Sequence, residues 1–144
     1  MKLFDTAPVS PQLARSLQAC TNAWKRIESE FGLLSSGQVA ELLGRSAENR
    51  NLASKKRRAG KILGVARGNT YRYPGFQFDR DRGTVRRVIE PLIALAGENG
   101  WPPEDVVLWL CAPSTYFHEA DRPVDHLEEP ERLLAAAQDQ FEAD

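Results

Sequence analysis

Eight side chains between positions 51 and 72 are of the kinds that contact nucleic acid. Asn51, Ser54, Lys55, Arg57 and Arg58 fall in one short run, and Arg67, Asn69 and Arg72 follow it. Lysine and arginine neutralise phosphates and release the counterions condensed on a duplex, a contribution blind to base sequence. Short amides and hydroxyls such as Asn51 and Ser54 can approach base edges. The charge distribution points the same way. Residues 45–90 carry thirteen Lys/Arg against four Asp/Glu, a net of +9, whereas residues 91–144 carry two against twelve, a net of -10. Residues 1–44 carry four of each, so the formal charge of -1 conceals a strongly polarised chain. A field of one sign steers partners of the other, which suggests two surfaces with different partners. Mutual neutralisation of the two blocks within the fold is the alternative.

The elements that must position these residues are legible from caps and periodicity. Ser10-Pro11 opens a helix whose apolar residues Leu13, Leu17, Cys20, Trp24, Ile27 and Phe31 recur at spacings of four and three until Gly32. The same spacing permits a dimer seam. LLSSGQVAELLG (33–44) reads as a short helix capped by Ser35 or Ser36 and stopped at Gly44, and a cationic second helix runs from about Asn49 or Asn51 to Ala59. On it Leu52 and Ala59 are expected inward, with Ser54, Lys55, Arg57 and Arg58 outward. Ile62–Val65 and Thr70–Tyr73 then read as a small hairpin turning at residues 66–69, in which Gly68-Asn69 tolerates positive φ. Helix, turn, cationic helix and hairpin in that order are the parts of a winged helix-turn-helix. Arg45 and Arg50 stand where the usual spacing has apolar residues, so the turn is expected to be longer than standard.

Beyond a basic linker, Thr84 is read as the cap of a helix carrying Val85, Val88, Ile89, Leu92, Ile93 and Ala96, with Pro91 expected to kink it or remove one backbone bond. Pro102-Pro103 opens a helix through Leu110. A one-turn helix near Pro123–Leu127 and a last helix over 130–141 follow. The expected fold class is mainly all-α: a helical, helix-turn-helix-like DNA-binding region with a hairpin wing (1–80), then a C-terminal helical domain (81–144).

Other chemistries find little support. Cys20 and Cys111 lack CxxC spacing, and His118, His126 and Cys111 come with no glycine-rich oxyanion or phosphate loop and no acid at a fixed spacing. His118, Glu119, Asp121 and His126 match no recognised metal-ligand pattern. No enzyme activity, catalytic residue, metal or cofactor is expected. No apolar run is long enough to cross a bilayer and no cleavable leader is read, so a cytoplasmic location without membrane contact is expected.

The stretch VVLWLCAPSTYFHEADRPVDHLEEPERLLAAA (106–137) resembles the toxin-binding domain of the MbcA/ParS/Xre antitoxins through Trp109, Leu110, Pro113, Arg122, Pro123, Val124, Asp125 and Leu127. LLSSGQVAELLG and RYPGFQFD, with Tyr73, Pro74, Phe76, Gln77, Phe78 and Asp79, are similar to members carrying an N-terminal DNA-binding region. Glu119-Ala120 stands where the family has a small residue, commonly glycine, and His126 replaces an apolar one. The resemblance implies a type II antitoxin that covers the active site of a cognate RES-domain, NAD-consuming toxin and represses its own operon at operator DNA. A homodimer, or a higher hetero-oligomer with the toxin, is expected because operator-binding helix-turn-helix proteins commonly work as symmetric pairs. Phe117, Arg122, Pro123, Asp125, Glu131, Leu134, Gln138 and Phe141 would contact the toxin, with Pro130–Phe141 presented outward. A stand-alone helix-turn-helix transcriptional regulator whose C-terminal half dimerises is the alternative.

Overall fold

The computed structural model describes residues 10–118 and 121–143. Helix α1 (Pro11–Phe31) starts where Ser10 Oγ accepts the Leu13 N–H at 3.1 Å and stops at Gly32, whose φ of 82° ends the helical path. Only its C-terminal half packs: Trp24 and Ile27 are buried, whereas Leu13 and Leu17 are 50% and 55% exposed. Strand β1 (Leu33–Leu34) leads into α2 (Ser36–Leu42), opened by a reciprocal box in which Ser35 Oγ accepts from Gln38 N and Gln38 Oε1 accepts from Ser35 N. Helix α3 (Asn51–Arg58) packs on α2 through Ala53. Strands β2 (Val65–Arg67) and β3 (Thr70–Pro74) form an antiparallel hairpin, with Gly68 at φ 66° in its turn. Strand β1 joins the free side of β3 in the register Leu33↔Pro74 and Leu34↔Tyr73, giving the order β1-β3-β2.

The hairpin lies slightly later in the chain than the β-favouring residues suggest. Ile62–Gly64 is not strand, because a side chain takes the place of a partner strand there. Gln77 is fully buried; its Oε1 accepts the Leu63 N–H at 2.7 Å, and its Nε2 donates to Leu63 O at 2.8 Å and to Pro74 O at 3.0 Å. Gln77 sits in a single 3₁₀ turn (Gly75–Gln77) that begins against the end of α1: a Cβ at Gly75 would lie 2.2 Å from Phe31 O.

A second small sheet follows. Strands β4 (Phe78–Asp79) and β5 (Thr84–Val85) pair as Phe78↔Val85 and Asp79↔Thr84, around a turn in which Asp79 Oδ1 accepts from Asp81 N and Arg82 N. Thr84 is therefore a strand residue rather than a helix cap. Helix α4 (Ile89–Glu98) begins only at Ile89, which puts Pro91 in the first turn, where a missing N–H removes no intrahelical bond. Helices α5 (Pro103–Leu110) and α6 (Pro130–Phe141) complete the chain, with a 3₁₀ turn (Pro123–His126) between them.

Six α-helices and five strands in two antiparallel sheets make the described residues mixed α/β, which corrects the mainly all-α expectation. Nor is the second half a separate set of helices. The larger apolar cluster joins Trp24 and Ile27 of α1, Leu63, Val65 and Phe76, Leu92 of α4, Leu110 of α5, and Leu133 and Phe141 of α6. A smaller one unites Val39, Ala53, Ile62, Tyr73 and Phe78 beneath α2 and α3. Each fully buried Leu, Ile or Phe contributes about 1.5–3 kcal/mol, so the first cluster welds the hairpin to the C-terminal helices. The Ala66 N–H of edge strand β2 is also satisfied from that side, donating to Glu104 of α5 at 3.1 Å. No helix among the described residues is long and apolar enough to cross a membrane.

Candidate nucleic-acid interface

Helix α3 buries Ala53 completely, and a helix of 3.6 residues per turn then turns Asn51, Lys55 and Arg58 away from the body. All three are exposed. Ser54 is half-buried on the hairpin side and accepts a hydrogen bond from Arg58 Nη2 at 3.3 Å. Lys55, Lys56, Arg57 and Arg58 occupy the last turn of α3, where cations also meet the negative end of the helix dipole.

Arg57 departs from the expected outward position. Its guanidinium lies 3.7 Å from the ring centroid of Tyr71 on β3, and its stem passes so close to Gly64 that a Cβ there would sit 2.5 Å from Arg57 Cδ. The buried Nε–H finds no acceptor among the described residues. Stacking a weakly hydrated planar cation on an aromatic face offsets part of that loss. Arg57 is thus a strap between α3 and the hairpin. The physical reason for the difference is that a helical wheel places Arg57 beside the buried face, and only the tertiary position of Tyr71 decides where it goes.

On the hairpin, Asn69 is exposed in the turn, Arg72 is half-buried, and Arg67 extends over Trp24 of α1 with 4.8 Å between guanidinium carbon and ring centroid. Tyr71, 41% exposed, presents an aromatic surface between Arg57 and solvent that the sequence reading did not single out. Tyr71 and Tyr73 stand two apart on β3 and so share a face, Tyr73 buried and Tyr71, nearer the turn, left exposed.

The residues singled out near the C-terminus divide differently. Arg122 forms a bidentate pair with Glu30 of α1, Nη1 to Oε1 at 2.7 Å and Nη2 to Oε2 at 2.8 Å, and also bonds the Asp125 carboxylate. The Arg122 hydrogen bond holds Glu30 below its ordinary pKa, and the Glu30 and Asp125 hydrogen bonds raise that of Arg122. Partial burial works to raise Asp125, but its side-chain and backbone bonds from Arg122 leave it lowered. Pro123 and Phe117 are buried. His126 stacks on Phe117 with 4.3 Å between centroids, its Nδ1 2.6 Å from Glu129 Oε2 and its Nε2 3.2 Å from Asp121 Oδ2. The polar ring that stands in place of an apolar residue is therefore flanked by two carboxylates. Glu119 and Ala120 lie outside the described residues.

Phe141 is 3% exposed, wedged against Trp101 at 4.4 Å and Trp109 at 5.3 Å. The expectation that Pro130–Phe141 faces outward thus holds for one side of α6 only. Leu133, Ala136, Ala137 and Phe141 are buried and Leu134 is half-buried, whereas Glu131 and Gln138 fall on the exposed side, with Glu142 exposed just past the helix end. Burial pushes the Cys111 thiol up to about 12, which keeps it protonated at neutral pH and unsuited to nucleophilic attack.

No family model matches the chain, and no curated protein matches it. A solved structure does. The NMR structure of Rv2175c superposes with a TM-score of 0.64 at 22% identity, over 78% of this chain and 82% of that one. At that identity the likeness is one of fold.

Proposed function

We propose that the protein binds duplex DNA and regulates transcription, with α3 lying in the major groove and the β2–β3 hairpin reaching the neighbouring backbone. The observation that carries this reading is the row Asn51, Lys55 and Arg58 on the open side of α3, beside a hairpin bearing Arg67, Asn69 and Arg72. An α-helix with side chains is about 10–12 Å across, close to the roughly 12 Å width of the major groove. Operator-binding proteins of this architecture commonly work as two-fold pairs, so a homodimer on a palindromic site is part of the proposal. The test is fluorescence anisotropy with the DNA upstream of the protein's own gene and with unrelated duplexes. Lys55→Gln/Arg58→Gln should weaken both, reducing the log–log salt slope by about 0.9 per lost phosphate contact. Unchanged binding by this variant refutes the assignment of α3.

A second reading, that the protein is an antitoxin covering the site of a RES-type, NAD-consuming toxin, is supported by a different feature. Glu131 and Gln138 share the exposed side of α6, with Glu142 exposed just past its end, and neither glutamate enters an ion pair among the described residues. Such an acidic stripe suits a cationic, anion-binding pocket. Deleting α6 would be a poor test because the same helix supplies Leu133 and Phe141 to the core. Glu131→Lys/Glu142→Lys should instead abolish protection when the protein is co-expressed with the enzyme of a neighbouring gene, leaving DNA affinity intact. Retained protection would refute the second reading alone.

A further inference from the structure

Residues outside the predicted DNA-contacting set form a groove of about 710 Å³ along the other flank of α3. Leu52 and Lys56, one turn apart, make its wall on α3; Arg45 comes from the turn after α2, Lys61 from the loop after α3, and Arg87 from the segment entering α4. None of these four cations enters an ion pair among the described residues. Arg86, which also lines the groove, is already engaged: its Nε donates to Phe76 O at 3.0 Å and its Nη1 pairs with Glu128 at 3.2 Å. Against the four stands a single carboxylate of the lining, Glu90, leaving a local excess of positive charge. Like charges gathered without counterions repel, and an external anion relieves the repulsion.

We infer that Arg45, Lys56, Lys61 and Arg87 hold a phosphodiester strand of the bound duplex, on the flank of α3 opposite the hairpin. The inference rests on the DNA-binding reading above and extends it. A helix that fills the major groove turns its two flanks toward the two phosphate strands bordering that groove. On one flank stand Arg67 and Arg72 of the hairpin; on the other stand these four. Their arrangement favours a strand over a compact anion, because they are spread over three separate connections and α3 around an open groove instead of converging on one point. Such contacts carry no base information, but they fix the depth and register at which Asn51 and Lys55 meet the base edges.

The experiment measures the affinity of the full chain for a short mixed-sequence duplex across a potassium chloride series. Wild type is compared with Lys56→Gln/Lys61→Gln/Arg87→Gln, with a charge-matched control, Arg15→Gln/Lys25→Gln/Arg26→Gln on α1, and with Lys55→Gln/Arg58→Gln. The groove variant should lose about 0.9 in slope per contact, about 2.7 in all, while the control keeps the wild-type slope. Far-UV circular dichroism checks folding, and the single reversal Arg87→Glu, at an exposed position, gives the same direction of change with minimal disturbance of packing. A groove variant with the wild-type slope overturns the inference, as does a control that falls equally. Stabilisation of wild type by inorganic pyrophosphate that the groove variant lacks, at an unchanged slope, overturns it in favour of a small-anion site. If the Lys55/Arg58 variant loses affinity and the groove variant does not, only this inference fails. If wild type binds no duplex at low salt, the DNA reading fails with it.

Discussion

Replacing Gln77 by leucine should be among the most damaging single changes available in the chain. Leucine is close in volume, so the substitution opens little cavity; what it removes is the set of three hydrogen bonds by which the amide ties Leu63 and Pro74 together. The site is fully buried. Two peptide groups of Leu63 and one carbonyl of Pro74 lose a partner at about 1–3 kcal/mol each, offset by about 1–2 kcal/mol from burying an apolar side chain. The net cost is about 3 kcal/mol, which for a chain of this size lowers the melting temperature by roughly 10 °C. Because Leu63 lies two residues before the start of β2, the hairpin should loosen as well, so duplex affinity should fall in the same variant at temperatures where it is still folded. Gln77→Glu sharpens the test. A carboxylate keeps the acceptor for Leu63 N–H, loses both donors and buries a charge, so burial raises its folded-state pKa above the unfolded value. The folded state then binds the extra proton, and stability must rise as pH falls toward the acid range. Melting followed by circular dichroism at several pH values reads both variants. A Gln77→Leu protein that melts within about 2 °C of wild type would mean that the Leu63 peptide is already hydrated, and would refute the reasoning.

Other consequences are open to measurement. Arg122→Met should cost on the order of 1 kcal/mol, since the pair with Glu30 is half-exposed and screened. Its clearer signature is pH-dependent: Glu30 and Asp125 have folded pKa values below their ordinary 4.5 and 3.8. Their contribution is therefore full above the unfolded values and disappears as pH falls through the folded ones. Wild type should lose stability more steeply than Arg122→Met below about pH 4, and parallel acid melting curves would count against the clasp. Gly75→Ala forces a Cβ against the Phe31 carbonyl and should destabilise by about 1–3 kcal/mol or more, read from the urea midpoint. Ellman's reagent should label the exposed Cys20 quickly, and Cys111, half-buried and pushed to about 12, much more slowly; two equally fast thiols in the native protein would contradict the packing.

Much of the helical framework could be read without the fold. Ser10-Pro11, the Ser35/Gln38 box, Gly32, and the proline starts of α5 and α6 act within a turn or two of themselves, and the cationic face of α3 follows from its own periodicity. The candidate site was legible to the same extent, since the exposure of Asn51, Lys55 and Arg58 depends only on which side of one short helix is buried.

Tertiary structure alone decided the rest. Strands β1, β4 and β5 are two residues long, too short to show an alternation, and exist because a distant segment supplies partners, as Pro74 and Tyr73 do for Leu33 and Leu34. The bonds from Gln77 to Leu63, the Arg122 pair with Glu30 across 92 positions, the strap from Arg57 to Tyr71 and the burial of Phe141 between two tryptophans likewise join residues that no local pattern connects. Lys56 and Arg87 looked like ordinary surface charges until folding brought them around one groove. Caps and periodicity are energies of neighbouring residues and can be read along the chain; which charge meets which, and which aromatic is covered, is set by chain return, and that depends on the whole core at once.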